Sequence, residues 1–165
     1  MSNVTVNAYT TTADQAGFHR FQGSDADQEL TDESIKYLTQ NKIEHVISLN
    51  SRADDKSIKT KLQDNNIQYT PLPVEDFHAP TLNQLKTGHE EFKKHSCGTL
   101  VWCGFGHGRT GTMVSALQIY AEQEKERPSR LSHADYKKNH VEAKNNGETT
   151  GQYEVLDKLQ DELAK

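Results

Sequence analysis

Leu100-Val101-Trp102-Cys103-Gly104-Phe105-Gly106-His107-Gly108-Arg109-Thr110-Gly111-Thr112 decides how this chain is read. An apolar run, Thr99 to Trp102, predicts a buried strand that ends at a cysteine. A glycine-rich loop follows, and an arginine with two threonines then opens an amphipathic helix. Glycines let the backbone curl so that successive N–H groups converge on one point. The N-terminus of the next helix adds unpaired donors and the positive end of its dipole to that point. Arg109 supplies a planar fork that matches two phosphate oxygens. The stretch therefore reads as an anion cradle with a sulfur at its floor. Amides and an arginine facing Cys103 favour its thiolate, placed for in-line attack on phosphorus and a phosphocysteine intermediate. Thr110 either donates its hydroxyl to the sulfur or caps the helix, and the sequence leaves both open.

Outward from that stretch, strands alternate with helices. Upstream, Val46–Leu49 and Ile67–Leu72 read as strands, with helices near 31–41 and 55–63. Thr81 followed by Gln84 has capping-box spacing and opens a helix through about Lys94. Downstream, Thr110–Gln123 carries Met113, Val114, Ala116, Leu117 and Tyr120 on one stripe, and Ser132–Lys144 and Thr150–Leu163 read as two further amphipathic helices. Residues 1–17 read as a short edge strand, around Val4–Tyr9, or an ordered arm. The pattern predicts an α/β fold with a central mixed, largely parallel sheet flanked by helices on both sides. The 165 residues are read as one domain, 1–165.

Composition narrows the classes of function. Nineteen Lys and Arg against 24 Asp and Glu give a net charge of −5, without a basic tract, which argues against nucleic-acid or membrane-surface binding. No apolar run is long enough to span a bilayer, and the start, MSNVTVNAYTTTADQ, lacks the basic and apolar regions of a signal peptide. The expectation is a soluble, cytoplasmic protein. Two cysteines, Cys97 and Cys103, do not make a disulfide scaffold, and an extended strand between them keeps the thiols apart. His89, His95, His133 and His140 lack the spacing of a zinc set and read as solvated helix faces, so no metal and no cofactor are expected. Arg20 reads as a surface salt-bridge partner, and the acidic runs Glu122–Glu126 and Asp157–Glu162 as exposed helix faces.

The segment Cys103 to Thr112 resembles the Cys-x-x-Gly-x-x-Arg-Ser/Thr signature of the cysteine-based protein tyrosine phosphatase superfamily. Its Gly-Arg-Thr-Gly-Thr ending is most similar to the compact dual-specificity branch and to the tyrosine-phosphatase-like inositol phosphatases. Upstream, Tyr69-Thr70-Pro71-Leu72-Pro73-Val74-Glu75-Asp76-Phe77-His78-Ala79-Pro80-Thr81 resembles the family's mobile acid loop. The resemblance covers roughly residues 18–163. It implies that Cys103 is the nucleophile, that Arg109 binds the phosphoryl oxygens, and that Asp76 is the general acid, although Glu75 beside it is equally titratable. It implies substrate binding by Gly104, Phe105, Gly106, His107 and Gly108 through their amides, with Thr110 beside them. Gln152 stands where some relatives place a water-positioning glutamine, a role the sequence does not assign.

One departure bears on activity. The family usually places histidine before the nucleophile, and here that residue is Trp102. The implied partner is a phosphorylated protein, with a protein tyrosine or dual-specificity phosphatase as the first reading. An inositol phosphate or phosphoinositide comes second, because residues 104–108 hold none of the lysines such charge-dense substrates call for. RNA 5′-phosphate chemistry is third, against the acidic balance. A low-turnover phosphate-binding module has no need of Asp76, and a rhodanese-type sulfurtransferase has no need of the loop that carries it.

Overall fold

The computed structural model describes residues 6–8, 30, 32–95, 98–103, 108–139, 141 and 148–165. Among the described residues four strands, β1 (Val6–Ala8), β2 (His45–Ser48), β3 (Gln68–Pro71) and β4 (Thr99–Trp102), form one sheet in the order β1-β4-β2-β3. Every pairing among them is parallel, with Val46 opposite both Leu100 and Tyr69, and Ile47 opposite Val101. The expected edge strand near the N-terminus is β1, which pairs with β4. Helices lie between and after the strands: α1 (Asp32–Gln40), α2 (Lys56–Asp64), α3 (Leu82–Lys94), α4 (Gly108–Gln123), α5 (His133–Lys138) and α6 (Glu148–Leu163).

Strand alternation sorts the core into two layers. Val46, Leu100 and Trp102 face one side of the sheet and pack with Ile35, Leu38, Ile58 and Leu62 of α1 and α2. Ile47, Val101 and Cys103 face the other, against Leu85, Met113, Ala116, Leu156 and their neighbours from α3, α4 and α6. Helices thus cover both faces, as a parallel sheet requires. No helix among the described residues is long and apolar enough to cross a membrane.

Local signals account for most element boundaries. The Thr81–Gln84 capping box is formed in both directions at the start of α3, and Ser132 and Asp135 form a second at the start of α5. Lys42 and Asn66, just past α1 and α2, take φ values of 57° and 60°, the left-handed turn that ends helices.

Two helix readings are corrected. Residues 109–117 of α4 are buried on all sides, so the expected single stripe understates a central helix that is covered all round. Helix α5 stops at Lys138 instead of running to Lys144. Its stop is enforced by Asn139, whose side-chain amide donates to Ser115 Oγ at 3.0 Å and Gln118 Oε1 at 2.8 Å and so ties the chain to α4.

Candidate active site

Because the strands are parallel, the segments that leave β2, β3 and β4 emerge at the same edge of the sheet, where ligands of open α/β sheets bind. The chain after β4 carries Cys103 into the N-terminus of α4, and the chain after β3 carries Asp76. Cys103 is 2% exposed, at the floor of this edge. The neighbouring Trp102 points to the opposite face of the sheet and packs in the α1–α2 layer, so its indole belongs to the core and not to the side where the sulfur lies.

Arg109, in the first turn of α4, is 2% exposed. Its Nη1 donates to the Val74 carbonyl at 2.8 Å and, more weakly, to the Leu49 carbonyl at 3.5 Å. Its Nη2 lies 3.0 Å from Asp76 Oδ1. The guanidinium therefore ties the ends of β2 and β3 to the helix that follows Cys103. It also brings together Asp76 and Arg109, which stand far apart in sequence. Glu75, the rival acid, is exposed and faces no such partner among the described contacts.

The acid loop is a tight turn. The His78 N–H donates to the Glu75 carbonyl at 3.0 Å, and Phe77 between them has a φ of 64°. Asp76 Oδ1 also accepts the Phe77 N–H at 3.0 Å, and a ring nitrogen of His78 lies 2.9 Å from the Asp76 carbonyl and donates to it.

Gly108 opens α4 where a side chain has no room: a Cβ there would lie 2.8 Å from Gln152 Oε1. Gln152 itself is 1% exposed, and its Nε2 donates to the His78 carbonyl at 3.0 Å. The Thr110 hydroxyl is buried and has no hydrogen-bond partner among the described residues, so the structure forms neither of the bonds expected of it. The readings on Gly104, Phe105, Gly106 and His107, and on Arg20, Cys97 and His140, fall outside the described residues. The carbonyls of Val74, Leu49 and His78 carry no sequence signal, because any residue supplies one; only Gln152 was visible, and without its role. Among the described residues no cluster of three or more His, Cys, Asp or Glu is arranged to hold a metal ion.

This arrangement can bind an oxyanion at Arg109 and the α4 N-terminus, present a sulfur to it from below and a carboxylic acid from the side. Comparison with known proteins points the same way. Residues 20–152 match the family model described as Swiss Army Knife protein, DSP-PTPase phosphatase domain. No curated protein sequence matches the chain closely enough to count as a relative. Among solved structures, Tk-PTP in its active form is 20% identical, with 91% of this chain and 99% of that one covered at a TM-score of 0.60. PTPMT1 in complex with PI(5)P is 18% identical over 81% and 86% of the two chains, with a TM-score of 0.63. A putative phosphatase from Shewanella putrefaciens is 14% identical over 95% and 91%, with a TM-score of 0.60. At these identities the structural likeness carries the fold, and the family match carries the membership.

Proposed function

The chain belongs to the DSP-PTPase phosphatase family, a group of cysteine-based phosphatases, and from that premise we propose that it hydrolyses phosphate monoesters on proteins through a phosphocysteine at Cys103. The observation that carries the reading is the 3.0 Å contact between Asp76 and the buried Arg109, which sets an acid beside the anion cradle.

In this reading a phosphate dianion enters over Cys103 and takes over the Nη2 edge of Arg109 from the Asp76 carboxylate. The Nη1 edge stays on the Val74 carbonyl and keeps the guanidinium in place. The Cys103 thiolate attacks phosphorus, an S–P bond forms as the ester P–O bond breaks, and the Asp76 proton passes to the leaving oxygen. Asp76, now a carboxylate, takes a proton from water as that water attacks phosphorus. The S–P bond breaks and inorganic phosphate leaves with the thiolate restored.

A phosphorylated tyrosine, serine or threonine side chain suits the site better than a polyphosphate. Residues 104–108 contain no Lys or Arg, and Glu75 leaves an exposed negative charge on the acid loop. Such a rim repels a substrate that carries several phosphates.

The test is turnover with EDTA present on a phosphotyrosyl peptide, a phosphoseryl peptide, an inositol phosphate and a phosphoinositide vesicle. The peptides should give the highest kcat/KM, Cys103→Ser should abolish turnover, and Asp76→Asn should lower kcat by about 10²-fold. A preference for the inositol phosphate or the vesicle overturns the protein substrate. Full activity in Asp76→Asn overturns the acid assignment and moves it to Glu75 or solvent.

A further inference from the structure

Phe77 follows the acid and holds a φ of 64°. A side chain in that left-handed region costs about 1 kcal/mol or more, and such backbone persists where its surroundings fix it. Within the turn, Asp76 and Glu75 accept the N–H groups of Phe77 and His78. Those bonds close the turn but do not set where it stands relative to α4. Contacts from α4 and α6 do so, and Gln84 Nε2 of α3 also donates to the Pro73 carbonyl at 2.9 Å. On one flank Arg109 holds the Val74 carbonyl and Asp76. On the other flank stands Gln152.

Gln152 lies in the opening turns of α6, and its carboxamide is wedged between the acid loop and the first residue of α4. The His78 carbonyl can only accept, so the side chain's nitrogen must face it and its oxygen must face Gly108. That oxygen is buried and has no hydrogen-bond partner among the described residues. A polar group sealed in this way costs free energy that an apolar side chain of equal size avoids. What the amide obtains in exchange is a single bond to the loop that carries the acid. The neighbouring turn of α6 meets the same loop, since a Cβ on Gly151 would touch Ala79 Cβ at 3.9 Å.

We infer that Gln152 is a positioning residue: its bond to the His78 carbonyl holds the acid loop closed, with Asp76 over Arg109, before substrate arrives. The inference rests on the reading of Asp76 as general acid. It makes α6 part of the machinery for proton delivery. Gln152 then matters in proportion to how much the departing oxygen needs a proton. Phenolate from phenyl phosphate needs one, whereas nitrophenolate from p-nitrophenyl phosphate leaves readily without.

The experiment compares these two esters with Gln152→Met, which keeps the volume against Gly108 and removes the donor. The kcat/KM for phenyl phosphate, which reports the step that breaks the ester bond and not the later hydrolysis of phosphocysteine, should fall about tenfold, because a misplaced donor loses part of the roughly 10²-fold or more that proton transfer supplies. For p-nitrophenyl phosphate the fall in kcat/KM should stay below about twofold, and inhibition by inorganic phosphate should be unchanged. Gln152→Glu, which sets a carboxylate oxygen against the His78 carbonyl, should give the same split between esters, so a folding defect peculiar to Met is not mistaken for the effect. In an Asp76→Asn background, Gln152→Met should cost nothing further. Equal losses of kcat/KM on both esters, no loss on phenyl phosphate, or losses that add to those of Asp76→Asn, overturn the inference. If Asp76→Asn itself treats the esters alike, the assignment of the acid fails first and the inference falls with it.

Discussion

Arg109 uses its two terminal nitrogens for different purposes. Nη1 is committed to the Val74 carbonyl, with Leu49 more distant, and Nη2 faces Asp76. One guanidinium thus aligns the loop that carries Asp76 and, in the proposed mechanism, presents a fork to phosphate, which a point charge on a flexible stem does poorly. Arg109→Lys keeps the charge and loses the fork. Charge-assisted hydrogen bonds contribute about 1.5–3 kcal/mol each, so loss of even one in the transition state lowers kcat/KM by roughly tenfold to 10²-fold. We expect a loss of about 10²-fold or more, since both the loop anchor and the second phosphate contact go. Steady-state kinetics on a phosphotyrosyl peptide checks this, and near-normal kcat/KM in the lysine variant would show that charge alone suffices. The sequence marked Arg109 and Cys103 as candidates because side-chain chemistry and spacing are written there. It could not announce the Val74 carbonyl, and it left Gln152 without a role, because the partner of its amide is a backbone group 74 residues away.

Helix α4 shows how an element can obey one rule and answer to another. Gly111 stands inside it, and by helix propensity alone Gly111→Ala should stabilise by about 1 kcal/mol. Packing predicts the opposite. A Cβ at Gly111 would lie 2.0 Å from the Asn139 carbonyl oxygen, and Asn139 is held there by its own bonds to Ser115 and Gln118. The end of α5 would have to move off α4, and such overpacking costs about 1–3 kcal/mol, occasionally more. We expect Gly111→Ala to destabilise by about 2 kcal/mol net, read as a lower urea midpoint with unchanged slope. A raised midpoint would mean that the contact yields freely. The same contact explains why the length of α5 was misjudged. Periodicity through Lys144 looked helical, but the stop at Lys138 is imposed by a neighbour distant in sequence. Caps that act within one turn, such as Thr81 with Gln84, were legible because both partners lie within four residues.

Across the whole molecule, two apolar layers meet at a sheet that buries a titratable group, His45, at 1% exposure. The two-layer α/β plan was legible from strands alternating with helices, but nothing in the sequence marked this histidine as internal. Its surroundings define its proton. The Thr99 hydroxyl donates to the His95 carbonyl at 2.9 Å, so Thr99 Oγ1 must accept from His45 Nδ1 at 3.0 Å. Nε2 then accepts from the Thr70 hydroxyl at 2.7 Å. The neutral ring satisfies three strands at once, β2, β3 and β4. A second proton on Nε2 would face a hydroxyl already set to donate, inside the sheet. Burial, reinforced by His95 and opposed by Glu91, lowers the His45 pKa from 6.5 to about 4. The sign follows directly. Above pH 6.5 the ring is neutral folded or unfolded and costs nothing. Between pH 6.5 and about 4 the unfolded chain takes up a proton that the folded one refuses, so stability falls as the pH falls. At about 1.4 kcal/mol per pH unit, the loss over that window is about 3 kcal/mol. His89, lowered mainly by burial, adds to the loss with the same sign. The check is a series of urea unfolding curves from pH 7.5 to 4 for the native chain and for His45→Gln. The native chain should lose stability more steeply below pH 6.5, by about 3 kcal/mol at pH 4 relative to the variant. Parallel curves would mean that His45 takes up its proton while still folded, and that the sheet opens at the His45 end before the molecule unfolds.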